Sequence, residues 1–178
     1  MDFAGECMKN TTVKHCVAAT VLALAALLLQ SQPLKTSPAG LRLIAEFEGC
    51  RLVPYRCTAG LWTDGIGHTE GVTPDCTITE RQAAVNLITD VRRIEQGIAR
   101  CMAVSRMSQT VYDAVVAFAF NVGIRAACCS TLAFFINQQQ WPEACHQLPR
   151  WVYVGGVYSP GLERRRQAEM ALCLSGAG

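Results

Sequence analysis

The first strong pattern along the chain is an unbroken apolar run, CVAATVLALAALLL, from Cys16 to Leu29. It is shorter than the ~20 residues that span a bilayer comfortably, and it is rich in alanine. Beyond a polar stretch at 31–37, read as a linker, the periodicity becomes helical. Ser37-Pro38 reads as an N-cap followed by proline at the first helical position. Leu41, Ile44, Ala45 and then Glu48 fall on one stripe, and Gly49 stops the helix. From Val53 to Thr69 the pattern changes to glycine, aromatic and threonine residues, with turns at Thr58-Ala59-Gly60 and Asp64-Gly65, predicting a small antiparallel hairpin. Thr79-x-x-Gln82 is a capping box opening a long helix with Ala84, Leu87, Ile88, Val91, Ile94 and Ile98 on one face. Ser108 caps another helix, through Val111, Val115, Phe118 and Val122, which Gly123 closes. Shorter helices are expected over Thr131–Gln139, Pro142–Leu148 and Pro160–Cys173. The sum is an α+β fold: a small antiparallel sheet with a mostly helical body, behind an N-terminal hydrophobic anchor segment. The expected organisation is 1–30 anchor, 31–37 linker and 38–178 globular domain.

Charge and cysteine content sharpen this picture. A formal net charge of +2 over 178 residues, with no basic stripe, argues against nucleic acid as a partner. The ten cysteines are scattered, without C-x-x-C or zinc-type histidine spacing, so no metal site is expected. They suit a disulfide framework in an oxidising compartment. Lys9, Lys14 and His15 precede the apolar run, so the N-terminus is expected to stay in the cytoplasm while the domain is exported. A cleaved signal peptide needs small residues after the run, where Gln30-Ser31-Gln32-Pro33 stands instead; Ala23-Leu24-Ala25 lies inside it. An uncleaved, weak anchor fits better. Cys145 with Cys173, and Cys101 with Cys128 or Cys129, are plausible pairs, while Cys76 has no evident partner and Cys7 belongs to the cytoplasmic end.

Glu48 carries the first sign of chemistry. A carboxylate on an apolar stripe is costly unless neutral or paired, and burial favours the protonated form that a general acid requires. A structural arginine partner explains the stripe equally well. Glu46 faces the other way and reads as a surface charge. The segment that follows, EGCRLVPYRCTAGLWTDGIGH from Glu48 to His68, adds the decisive pattern. It resembles the phage lysozymes of glycoside hydrolase family 24, which show a Glu, an Asp or Cys nine residues on, a Thr six further, and a Gly-Ile-Gly-His turn. Glu48, Cys57, Thr63 and Gly65-Ile66-Gly67-His68 stand at those positions. Phe120-Asn121-Val122-Gly123 and the segment from Trp151 to Arg166 extend the resemblance over roughly Leu41 to Leu174.

The resemblance implies a lysozyme-like fold. It also implies hydrolysis, without a cofactor, of the β-1,4 bond between N-acetylmuramic acid and N-acetylglucosamine in peptidoglycan, with inversion. Glu48 would be the acid, and Cys57 and Thr63 would position or activate the water. Trp62, His68 and Asn121 are candidate substrate contacts, with core packing or a turn hydrogen bond as the plainer role for the first two. Asp64 reads as a turn charge. Cys57 stands where the commonest family form has Asp, and a thiol is the weaker base. That variant is similar to signal-anchor-release endolysins, whose catalytic cysteine is caged by a disulfide. The resemblance implies a Cys50–Cys57 lock, with Cys16 sheltered in the anchor (residues 16–29, in the host inner membrane) until release. Cys16 would then attack Cys50 and free Cys57 in the periplasm. No sign of oligomerisation is present, so a monomer is expected. A lytic transglycosylase, and a wall-binding module without catalysis, are the competing readings.

Overall fold

The computed structural model describes residues 16–57 and 60–178. Lys9, Lys14, His15 and Cys7, and the Thr58-Ala59 part of the first expected turn, lie outside the described residues. The chain divides into two compact units. One holds the described residues up to Leu34 together with Ile44–Asp90, and the other holds Lys35–Leu43 and Val91–Gly178. The boundaries fall inside two helices, α2 (Pro38–Glu48) and α3 (Glu80–Ile98).

In the first unit, the apolar run forms helix α1 (Ala18–Leu28). Its 11 residues span only about 16 Å at 1.5 Å per residue. Among the described residues, no helix is long and apolar enough to cross a membrane. Val21 and Ala25 are fully buried, while Val17 and Leu27 are at least half exposed. The Val17 N–H donates to the Glu80 carboxylate, 3.0 Å away. The hairpin follows, as β1 (Arg51–Arg56) and β2 (Trp62–Gly65) in antiparallel register. Leu52, Ile66, Ile78 and the N-terminal half of the α3 stripe supply the core. The Thr79 hydroxyl accepts from the Gln82 N–H at 3.1 Å. The Gln82 side chain, however, reaches forward to Asn86 at 2.8 Å, so the capping box bonds in one direction here.

The second unit is helical. All six predicted stripe residues of α3 are buried, Val91, Ile94 and Ile98 among them on this side of the boundary. Helix α4 (Gln109–Val122) is capped by Ser108 and closed by Gly123, as its sequence predicts, and is buried on nearly every side from Val111 to Ala119. Three short helices follow, α5 (Ile124–Cys128), α6 (Thr131–Asn137) and α7 (Trp141–Cys145), and then the terminal α8 (Pro160–Leu174), which packs on α4. The helix expected over 142–148 is thus shorter, with a 3-10 turn at Leu148–Arg150 after it. Two features were not anticipated: α5, and a second hairpin of β3 (Tyr153–Val154) and β4 (Val157–Tyr158) turning at Gly155-Gly156. Disulfides join Cys101 to Cys128 and Cys145 to Cys173. Cys129 stands exposed beside the first of them.

The end of the expected linker is structured. The Thr36 N–H and hydroxyl both donate to Glu95, at 2.6 and 2.7 Å. The Ser37 N–H donates to buried Asp113 at 2.9 Å, while the Ser37 hydroxyl oxygen accepts from the Ala39 N–H at 3.1 Å. Ser37 is therefore an N-cap that is itself held in place.

Candidate active site

Glu48 is the last residue of α2, half-buried, and Gly49 follows with φ of 70°. The left-handed conformation that ends the helix turns the chain directly into β1. The hairpin pairs Tyr55 with Thr63 and Arg56 with Trp62, with a bulge between Arg51 and Tyr55. At its tip the Cys57 N–H donates to Leu61 O at 2.9 Å, and the Gly60 N–H to Cys57 O at 2.8 Å. Beyond β2 the chain closes a tight turn in which Asp64 and His68 exchange both backbone hydrogen bonds, at 2.9 and 3.0 Å.

Gly67, inside that turn, lies against Glu48. A Cβ there would sit 2.9 Å from Glu48 Oε2, and the residue adopts φ of 74°. Glycine is therefore favoured by conformation, and a side chain there would have to push the carboxylate aside. Tyr55 reports on the same cluster. Its phenol is pushed up, first by burial and then by the negative charge of Glu48, with smaller contributions from Cys57 and Asp64, against a lowering by Arg51. Glu48 and Cys57 thus lie within electrostatic reach of Tyr55, which pairs with Thr63 across the hairpin. Thr63 is 3% exposed, and its hydroxyl donates to Leu61 O at 3.2 Å. Trp62 is covered by the Arg56 guanidinium, 5.1 Å from the ring centroid.

The other expected residues also have definite places. The Nδ1 of His68 is 2.7 Å from Asp90 Oδ2 on α3, so the ring is tied to the helix. Burial alone would lower His68, but the hydrogen bond and charge of Asp90, with help from Asp64, raise it. Asn121 belongs to the second unit; it is exposed at the end of α4 and accepts from Arg166 at 3.1 Å. Cys16 and Cys50 are joined in a disulfide, and Cys57 keeps its thiol.

Asp64 departs from expectation. It is not a turn charge at the surface but 3% exposed, and its carboxyl is pushed from 3.8 up to about 6 by burial, with the Asp90 charge adding and His68 opposing. It lines a cavity of about 260 Å3 with His68, Cys76, Gln82 and Asn86. The β-strand alternation, which sends Asp64 to the side opposite Thr63, was the available signal; the adjacent glycine obscured it. Among the described residues, no group of three or more His, Cys, Asp or Glu is placed to hold a metal ion.

The chain has relatives among known proteins. The sequence profile described as phage lysozyme matches residues 45–169. The SAR-endolysin of Escherichia phage P1 is 35% identical over 158 residues, covering 80% of this chain and 83% of its own length. The chain belongs to the phage lysozyme family. The crystal structure of the active form of the phage P1 endolysin Lyz superposes with a TM-score of 0.82 at 31% identity, over 94% of this chain and 97% of its own. The secreted inactive form of the same endolysin gives 0.56 at 34% identity, over 79% and 96%. The fold of this family member is thus lysozyme-like, mostly helical with small antiparallel sheets.

Two measurements probe the site. In Gly67→Ala the new methyl displaces the Glu48 carboxylate, and turnover of wall substrate is expected to fall by at least tenfold, in keeping with the cost of ångström-scale misplacement. Turnover within twofold of wild type would refute the contact. Asp64 has a raised folded value, so its neutral form stabilises below about pH 4, and the advantage is lost as pH rises through about 6. His68, also raised, loses its contribution in the same direction above its unfolded range. Asp64→Asn is expected to unfold at higher urea than wild type at pH 7.5, by about 2–3 kcal/mol, and with little difference at pH 4. An equal gap at both pH values would contradict a strained buried carboxyl.

Proposed function

We propose that this protein is an endolysin that hydrolyses the β-1,4 bond between N-acetylmuramic acid and N-acetylglucosamine of peptidoglycan during host cell lysis. The observation carrying this reading is the Glu48 carboxylate held against the Gly67 backbone, beside the strand that bears Thr63 and the Cys57 tip. The active and secreted inactive forms of the P1 endolysin support it as relatives. Glu48 protonates the leaving glycosidic oxygen. Thr63 and Cys57 orient the attacking water on the opposite face of the sugar, which gives inversion. Such a site needs no cofactor.

Activation follows from the cysteines of the same unit. The exported protein is tethered in the inner membrane by residues 16–29, with Cys50 bonded to Cys57. When α1 leaves the lipid, the Cys16 thiolate attacks the Cys50 sulfur. The Cys50–Cys57 bond breaks as Cys16–Cys50 forms, and Cys57 departs as a thiolate, with no net oxidation. The Cys16–Cys50 bond, the retained Cys57 thiol and the closer likeness to the active than to the inactive P1 form all favour this sequence of events.

Glu48→Gln is expected to abolish lysis of permeabilised Gram-negative cells while leaving the circular dichroism spectrum unchanged. Retained lysis refutes the acid. Mass spectrometry of wild-type products should show reducing ends; anhydro-muramic ends would identify a transglycosylase instead. For activation, released Cys16→Ser protein should stay inactive until reductant is added, and full activity without reductant would rule out the exchange.

A further inference from the structure

Helix α1 starts without a cap of its own. Its N-cap is Val17, whose side chain offers no acceptor, and its first turn holds no acidic residue. A capping box closes such an end by returning a Glu or Gln from the N3 position to the N-cap N–H. Thr20 stands at N3 here. The bond is made all the same, from outside the helix. The Val17 N–H donates to Glu80 Oε1 at 3.0 Å, across 63 residues of sequence. Glu80 is the first residue of α3, directly after the Thr79 cap. One carboxylate therefore serves the first turn of α3 and the start of α1, and its negative charge suits the positive end of both helices.

This contact is connected with the thiol chemistry of the same unit in two ways. Val17 is the neighbour of Cys16, which is bonded to Cys50. Fixing the Val17 backbone therefore limits where the Cys16 sulfur can reach. The other link is topological. In the anchored form proposed above, the start of the apolar run lies toward the cytoplasm, whereas Glu80 belongs to the exported domain. Val17 and Glu80 are then on opposite sides of the bilayer, and their hydrogen bond can form only after α1 has left the lipid. A contact available to one state and denied to the other biases the equilibrium between them.

The exchange needs such a bias. The Cys16–Cys50 bond forms, the Cys50–Cys57 bond breaks, and Cys57 leaves as a thiolate. One disulfide replaces another, so no oxidant enters and the bond energies nearly cancel. Rate and direction then rest on how well the Cys16 thiolate is held near Cys50. Val21 and Ala25, both fully buried, lay the helix on the domain, but apolar burial is non-directional. The Glu80 bond is directional, and it fixes the end of the helix that carries the nucleophile.

We propose that Glu80 is a positioning residue for activation, which captures the N-cap of the released α1 and delivers Cys16 to Cys50. The inference rests on the disulfide-exchange reading above. The test starts from the full chain held in detergent micelles with Cys50–Cys57 bonded, and release is triggered by dilution. Samples quenched in acid are alkylated, and their disulfides are mapped by mass spectrometry. Wild type should convert to Cys16–Cys50, and Glu80→Ala should convert about fivefold more slowly, within the roughly two- to tenfold that one hydrogen bond supplies. Glu80→Gln keeps an acceptor oxygen and should recover most of the rate. An unchanged rate in Glu80→Ala overturns the proposal, and so does a Glu80→Gln protein as slow as Glu80→Ala.

A background in which both Cys16 and Cys50 are replaced by Ser separates positioning from folding, because Cys57 is uncaged there and no exchange is needed. In that background Glu80→Ala should leave muralytic activity within twofold. A loss of activity there equal to the loss in the exchanging protein marks a structural role and overturns the proposal. Wild-type protein in which no Cys50–Cys57 species is found before release refutes the exchange reading itself, before any Glu80 variant is compared.

Discussion

Glu48 stands at a helix end, where a carboxylate ordinarily swings into solvent, and the close approach of one stretch of backbone shapes its placement. Gly67 offers it a surface without a side chain. That surface is rigid because Asp64 and His68 close the turn with two hydrogen bonds, and because His68 is tied to Asp90 on α3. These contacts connect Asp90, His68, the turn and Gly67 to the place where the carboxylate lies. His68 therefore acts as a fastening, and its ring nitrogen is occupied in doing so.

Both units bury charge at some cost, and to different ends. Asp64, His68 and Asp90 brace the turn in the first, and the raised Asp64 carboxyl is the strain that accompanies it. Arg165, Arg166 and Glu169 tie α8 to α4 in the second, through Ala117 O and Asn121. Net stabilities of folded domains are only ~5–15 kcal/mol, so groups of this kind weigh heavily. Sites held by buried polar networks gain orientation at the expense of stability.

Helix α1 is apolar on all sides, yet only Val21 and Ala25 are deeply buried, and Val17 and Leu27 remain largely exposed. Such a segment gains partial burial against protein and would gain fuller burial in lipid. Its short length limits that second gain. A weak anchor with a usable place on the folded domain is what the proposed release requires, and the Cys16–Cys50 bond holds the helix start in that place.

Local rules were enough for much of this. The stripe on α3, the caps at Ser37, Thr79 and Ser108, the stop at Gly123 and the spacing from Glu48 through Cys57 and Thr63 to His68 follow from neighbours within a few residues, and periodicity reads such relations directly. Tertiary structure alone decided the rest. It chose Cys128 over Cys129 as the partner of Cys101, since adjacent residues on one chain point to different surroundings. It buried Asp64, pinned Thr36 and Ser37 to Glu95 and Asp113, and gave Asn121 an arginine from 45 residues away. Burial and pairing depend on what distant segments bring to a side chain, and no local pattern carries that information.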